Sequence, residues 1–81
     1  MKIRVQFFSQ LRVLAEASEI ELEISETANV ANLLDVLYTR TPALRVLDKN
    51  ILVAADLEFV SRDHLLHPGD EISIMPPLQG G

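Results

Sequence analysis

Residues 71–81, Glu71-Ile72-Ser73-Ile74-Met75-Pro76-Pro77-Leu78-Gln79-Gly80-Gly81, decide how the rest of the sequence is read. The first five form a mostly apolar strand, and the two prolines end it because neither can donate to a sheet ladder. Leu78 and Gln79 then lead to a pair of glycines. Without a Cβ, the backbone at Gly80 and Gly81 can approach another surface closely. Gly81 presents an α-carboxylate on a tail slim enough to thread into a narrow site of another protein. Pro76 and Pro77 stiffen the base of that tail and lower the entropy lost on threading. The expected organisation is a folded domain over residues 1–76 and a flexible tail over 77–81.

Working back toward the N-terminus, His67-Pro68-Gly69-Asp70 is a tight turn in which Gly69 can supply a positive φ. Asn50 to Ala55 is a mostly apolar strand, Asp56-Leu57-Glu58 its turn and Phe59-Val60 a short return. Val30, Leu33, Leu34 and Leu37 recur at i, i+3, i+4 and i+7, the stripe of a helix lying on a sheet. Thr27 or Asn29 caps that helix, and Pro42 ends it by pushing Thr41 out of the helical region. Leu44 and Leu47 make a further half-buried turn.

Glu19 to Ser25 alternates, with Ile20, Leu22 and Ile24 inward and glutamates outward. Lys2 to Phe8 alternates as well, with Ile3, Val5 and Phe7 on the core side. Phe8 breaks the pattern and lies opposite Phe7. Ser9 is expected to cap a short helix through Leu11, Val13 and Leu14, with Arg12 facing outward.

The element order is thus strand, strand, helix, strand, strand, strand. The helix serves as a crossover, so the last strand can pair parallel to the first in the middle of a mixed sheet. The predicted fold class is α+β: the ubiquitin-like β-grasp, about five strands with one main helix on one face. The tail then projects from a central, anchored strand.

Eighty-one residues, 48% of them hydrophobic, suit one globular domain with a modest core. The chain has no cysteine, which excludes disulfides, thiolate metal sites and a cysteine nucleophile. His64 and His67 are too few for a metal centre and are read as turn residues, so no metal is expected. Seven basic and twelve acidic residues give a net charge of −5, which disfavours nucleic acid and anionic membrane as partners and favours a basic protein surface. Glu16, Glu19, Glu21, Glu23 and Glu26 read first as the wet face of an edge strand. No apolar run is long enough for a membrane span and none resembles a signal peptide, so cytoplasmic location is expected. Ser61, Asp63 and His64 are neighbours in sequence but form no catalytic motif, and no glycine-rich loop precedes a helix. A carrier, rather than an enzyme on its own, is the expectation. An ionised α-carboxylate is a poor electrophile, so chemistry at Gly81 needs activation by a partner that binds the nucleotide.

Three segments carry a family resemblance: Phe7-Phe8-Ser9-Gln10-Leu11-Arg12, Leu66-His67-Pro68-Gly69-Asp70-Glu71-Ile72, and Pro76-Pro77-Leu78-Gln79-Gly80-Gly81. Together they resemble the small, sulfur-carrying subunits of molybdopterin synthase, across essentially the whole chain. The resemblance implies that a ubiquitin-activating-like enzyme consumes ATP to adenylate Gly81, and that a persulfide sulfur donor converts the adenylate to a thiocarboxylate. The tail would then enter the large synthase subunit and pass sulfur to a cyclic pyranopterin precursor, in an assembly with one small subunit at each end of a large-subunit dimer. Two transfers build the dithiolene that later binds molybdenum or tungsten. No cofactor would be held stably by this chain. Gly80 would keep the tail slim, and Phe8, Arg12, Met75, Pro76, Pro77, Leu78 and Gln79 would meet the partners. Met75 stands where the family often has an aromatic, Asp56 where it often has asparagine, and Ala17-Ser18 where it usually has glycine. Two alternatives stay open: a ubiquitin-like modifier conjugated through Gly81, and the thiamine-thiazole sulfur carrier, which is typically shorter and usually lacks the Pro-Pro stalk.

Overall fold

The computed structural model describes residues 1–77; Leu78, Gln79, Gly80 and Gly81 lie outside the described residues. Strands β1 (Lys2–Phe7), β2 (Glu19–Glu23), β3 (Leu52–Ala55), β4 (Glu58–Phe59) and β5 (Glu71–Met75) form one sheet in the order β2-β1-β5-β3-β4. β1 is antiparallel to β2 and parallel to β5, while β3 is antiparallel to both β5 and β4. Helix α1 (Gln10–Ala15) follows β1, helix α2 (Val30–Arg40) follows β2, and a 3₁₀ segment (Pro42–Asn50) leads into β3. This is the ubiquitin-like β-grasp topology expected from the element order.

The register shows why the core lies on one face. Val5 pairs with Ile20 and Ile72, Phe7 with Ile74, and Ile74 with Val53. Strand residues directly opposite one another share a face, so these side chains form one apolar layer. Val30, Leu33, Leu34 and Leu37 of α2 join that buried cluster. Each such side chain contributes roughly 1.5–3 kcal/mol by leaving water. Asn29 rather than Thr27 caps α2. Its side chain accepts the Asn32 N–H, and the Asn32 side chain accepts the Asn29 N–H, both at 2.9 Å. Thr41 then leaves the helical region ahead of Pro42.

Several local expectations are corrected. Ser9 occupies the cap position of α1, yet its hydroxyl makes no cap bond; its φ of 57° turns the chain from β1 into the helix instead. β1 closes at Phe7, one residue early, and β3 opens at Leu52 because Asn50 still belongs to the 3₁₀ segment. β2 closes at Glu23, although the Ile24 N–H still reaches the Met1 carbonyl. The return strand is Glu58–Phe59, and Val60 adds one further bond to Val53 at 3.0 Å. Leu44 is fully buried rather than half-buried. In the turn before β5, Gly69 has φ 89° and the Asp70 N–H donates to the His67 carbonyl at 3.0 Å. Asp56, with φ 57°, is in the left-handed region that Asp and Asn tolerate best after glycine.

Candidate functional site

Because β5 runs parallel to β1 at the centre of the sheet, both strands finish at the same end. The Phe8 N–H donates to the Ile74 carbonyl at 3.1 Å, which locks the exit of β1 to the last turn of ladder before Pro76. The face of the sheet away from α2 can be followed from the register. Arg4 pairs with Glu71, Gln6 with Ser73, Leu52 with Met75, Ala54 with Ser73, and Ala54 with Phe59. At the N-terminal end of β5 this face is charged: Arg4 lies between Glu19 (3.2 Å) and Glu71 (3.8 Å). Toward the tail it becomes apolar, with Leu52, Met75, Ala54 and Phe59 on three adjoining strands and Phe8 at the exit of β1. Phe8 is 44% exposed, Leu52 36% and Phe59 67%.

The structure therefore brings Phe8, Met75, Pro76 and Pro77 to one end of the molecule. Arg12 lies on α1, exposed, with no carboxylate within 4.0 Å among the described residues. It follows Leu11, which is buried and whose N–H is held by the Phe8 carbonyl at 3.1 Å. Gly80, Gly81, Leu78 and Gln79 fall outside the described residues. Leu52 and Phe59 are the members of the face that sequence reasoning missed. Their signal was an apolar run, Leu52-Val53-Ala54-Ala55, with hydrophobic residues on both parities, one more face than a single helix layer can cover.

At the exit of β5, Pro76 and Pro77 are half-buried and border a groove of about 370 Å³ whose other walls include Ser9, Gln10, Leu47 and Asn50. The wall from the 3₁₀ segment is braced from behind. Arg62 donates through Nη1 to Asp48 Oδ1 at 2.9 Å and through Nη2 to the carbonyls of Asp48 and Ile51 at 2.7 and 3.3 Å. The Tyr38 hydroxyl donates to the same Asp48 oxygen at 2.5 Å, and the Arg45 guanidinium lies 5.3 Å from the Tyr38 ring centre. The hydrogen bond from Tyr38, followed by that from Arg62, holds the Asp48 carboxyl below its ordinary range. Burial, then the bond to Asp48, pushes the Tyr38 phenol well above its ordinary value.

The Ser61 hydroxyl bonds the Asp63 carboxylate on the surface, while the His64 carbonyl accepts the Val30 N–H at the start of α2. His67 Nδ1 lies 3.7 Å from Asp70. No group of three or more His, Cys, Asp or Glu side chains among the described residues could hold a metal ion. No helix among them is long and apolar enough to cross a membrane. What the arrangement offers is a central strand, a proline pair at its exit and an adjacent apolar face against which a partner can seat.

A β-grasp body whose central strand leads into a Pro-Pro stalk and a Gly-Gly pair defines the class of ubiquitin-like carriers. The chain belongs to the ThiS family, whose sequence model matches residues 5–81. It is 34% identical over 83 residues to the molybdopterin synthase sulfur carrier subunit of Chlamydomonas reinhardtii, with all of both chains covered. Among solved structures, it matches a chain assigned as molybdopterin converting factor, subunit 1, of Pyrococcus furiosus with a TM-score of 0.89 at 28% identity, covering 96% of this chain and 99% of that one. It also matches small archaeal modifier protein 1 of Methanosarcina acetivorans with a TM-score of 0.83 at 26% identity, covering 99% and 96%.

Proposed function

We propose that this chain is a sulfur carrier of molybdenum cofactor biosynthesis, the small subunit of a molybdopterin synthase. The observation that carries this is its full-length likeness to a curated sulfur carrier subunit. The central placement of β5, whose end at Met75 leads directly into Pro76 and Pro77, supports it. In this role the Gly81 carboxylate attacks the α-phosphorus of ATP on an adenylating partner, pyrophosphate leaves, and an acyl-adenylate results. Sulfur from a persulfide donor, delivered with two reducing equivalents from a thiol, displaces AMP and leaves a thiocarboxylate. Within the large subunit that sulfur passes to the pterin precursor, and hydrolysis restores the carboxylate. Gly80 keeps the tail slim. Phe8, Met75, Leu52 and Phe59 seat the large subunit, Pro76 and Pro77 hold the base, Leu78 and Gln79 span to the reacting end, and Arg12 meets a partner carboxylate. Catalysis belongs to the partners, and ATP is consumed by the activating enzyme rather than held here.

A second reading, a modifier joined to lysines through Gly81, is favoured by the likeness to small archaeal modifier protein 1. One experiment separates the two: intact mass after incubation with extract, ATP and a sulfur source, beside a version lacking Gly81. The carrier gains the mass difference between sulfur and oxygen, and the truncated form does not. Conjugates that vanish with Gly81, without sulfur gain, assign the modifier role. No change in either form, in an extract that activates a known carrier, overturns both.

A further inference from the structure

β2 is an outer strand of the sheet, and half of its backbone groups are unused by its neighbour. The β1–β2 register pairs Lys2 with Glu23, Ile3 with Leu22, Arg4 with Glu21, Val5 with Ile20 and Gln6 with Glu19. Bonds at the two ends show which of these pairs exchange hydrogen bonds. The Met1 ammonium donates to the Ile24 carbonyl at 2.7 Å, and the Ile24 N–H donates to the Met1 carbonyl at 2.8 Å. At the other end the Phe7 N–H donates to the Ser18 carbonyl at 2.9 Å. Bonded and non-bonded pairs alternate along an antiparallel ladder, so Ile3–Leu22 and Val5–Ile20 are the bonded pairs between them. The N–H and C=O groups of Glu19, Glu21 and Glu23 therefore point outward along the free edge.

The same parity sorts the side chains. Glu19, Glu21 and Glu23 stand exposed on the face away from α2, and Ile20, Leu22 and Ile24 lie on the core face. Arg4 engages Glu19, but no cation lies within 4.0 Å of the Glu21 or Glu23 carboxylates among the described residues. Beyond the end of β2, a trough of about 420 Å³ runs between Ile24 and Ala28 on one side and Val36 of α2 on the other, with Asp35 at its border. Ile20 is only half-buried, and Val36 is 40% exposed. One flank of the edge is thus anionic and the other apolar.

We propose that the β2 edge receives an extended segment of a partner protein in which Lys or Arg alternates with Val, Ile or Leu. A strand that bonds to the outward groups of residues 19, 21 and 23 sets its own bonded residues opposite the three glutamates, on the same face. Cations there meet Glu21 and Glu23 directly. The intervening residues extend the core face, cover Ile20 and reach toward Val36. Main-chain bonds supply the attachment, and the alternation supplies the specificity. Charge selects among occupants: the glutamates repel a second copy of β2 as well as any acidic strand, and they admit a basic one. β2 carries neither proline nor bulge, so its ladder is continuous from Glu19 to Glu23. This surface is separate from the apolar face beside β5 and does not depend on the carrier reading.

The test uses the full chain, ¹⁵N-labelled, with the blocked peptide Lys-Val-Lys-Val-Lys-Val as probe. Expected is saturable binding in which the Glu19, Glu21 and Glu23 amides exchange with solvent about tenfold more slowly, while the Ile20, Leu22 and Ile24 amides are unchanged. Glu21→Pro removes one outward N–H and no bond to β1, a substitution an edge strand accepts. It is expected to weaken the peptide about fivefold, the share of one net hydrogen bond. If that variant does not fold, Glu21→Lys with Glu23→Lys is read instead, and it is expected to exchange the preference for one toward Glu-Val-Glu-Val-Glu-Val. Equal binding of Lys-Lys-Lys-Val-Val-Val without amide protection would reduce the effect to bulk charge attraction and overturn the proposal. Absence of binding would do so as well, leaving the glutamates as a guard against strand addition.

Discussion

Phe59 stands 67% exposed on β4, a strand of two residues at the margin of the sheet. An aromatic side chain buries about 150–250 Å² when fully covered, so the part left in water here is roughly 130 Å². At about 25 cal/mol per Å², complete covering by a partner is worth at most about 3 kcal/mol. Interfaces cover such residues incompletely and order them at a cost, so truncation to alanine is expected to remove about 1–2 kcal/mol of binding to the large synthase subunit. That is a rise in Kd of roughly 5- to 30-fold. The fold itself makes little use of this ring, and stability should change by no more than about 0.5 kcal/mol. Isothermal titration calorimetry against the large subunit reads the first number, and urea denaturation reads the second. Val46→Ala is the matched control: Val46 is more exposed still, at 85%, but sits on the 3₁₀ segment beside α2. An unchanged Kd for Phe59→Ala, or an equal loss for Val46→Ala, would refute the assignment of the docking face.

Three further outcomes concern stability. Asp48→Asn removes the carboxylate shared by Tyr38 and Arg62; because the Asp48 side chain is 44% exposed, solvent screening limits the loss to about 1 kcal/mol at neutral pH. The folded carboxyl titrates below its ordinary range, so its contribution is complete above the unfolded pKa and fades as pH falls through the folded one. Urea midpoints for the two proteins should therefore differ at pH 7 and converge below the ordinary carboxylate range; a gap that persists under acid would assign the loss to packing. Tyr38 has the opposite sign: its raised pKa makes the fold lose stability as pH climbs above the ordinary phenol range, a loss that Tyr38→Phe should abolish in alkaline melts. Gly69→Ala meets no atom within 4 Å but must hold φ at +89°, so it should cost about 1–2 kcal/mol from backbone conformation alone. Calorimetric melting that shows no decrease would mean the turn changes type.

The helix stripe Val30, Leu33, Leu34 and Leu37, and the alternation in β1 and β2, were legible because each is a local consequence of a 3.6- or 2-residue period acting on burial. Element order then placed β5 beside β1, and the whole chain followed. Boundaries moved by one or two residues where hydrogen bonding rather than hydropathy sets them, as at Asn50 and Glu23. Ser9 was misassigned for a related reason: serine fits a cap, but the reversal from β1 into α1 demands a positive φ that takes its hydroxyl away from the helix N–H groups.

Phe8 and the tail could be nominated from the residues themselves, and the resemblance carried Arg12 and Met75. Leu52 and Phe59 could not, because their role depends on pairing. Only once Met75 faces Leu52, and Ala54 faces Phe59, do these residues of three separate strands become one surface. The edge groups of Glu19, Glu21 and Glu23 were hidden in the same way. The sequence shows five glutamates between residues 16 and 26, but whether the backbone amides of those on β2 face a neighbour or open water depends on one residue of register against β1. Local periodicity is written along the chain, whereas faces, edges and grooves are made by contacts between distant segments, and those exist only in the folded molecule.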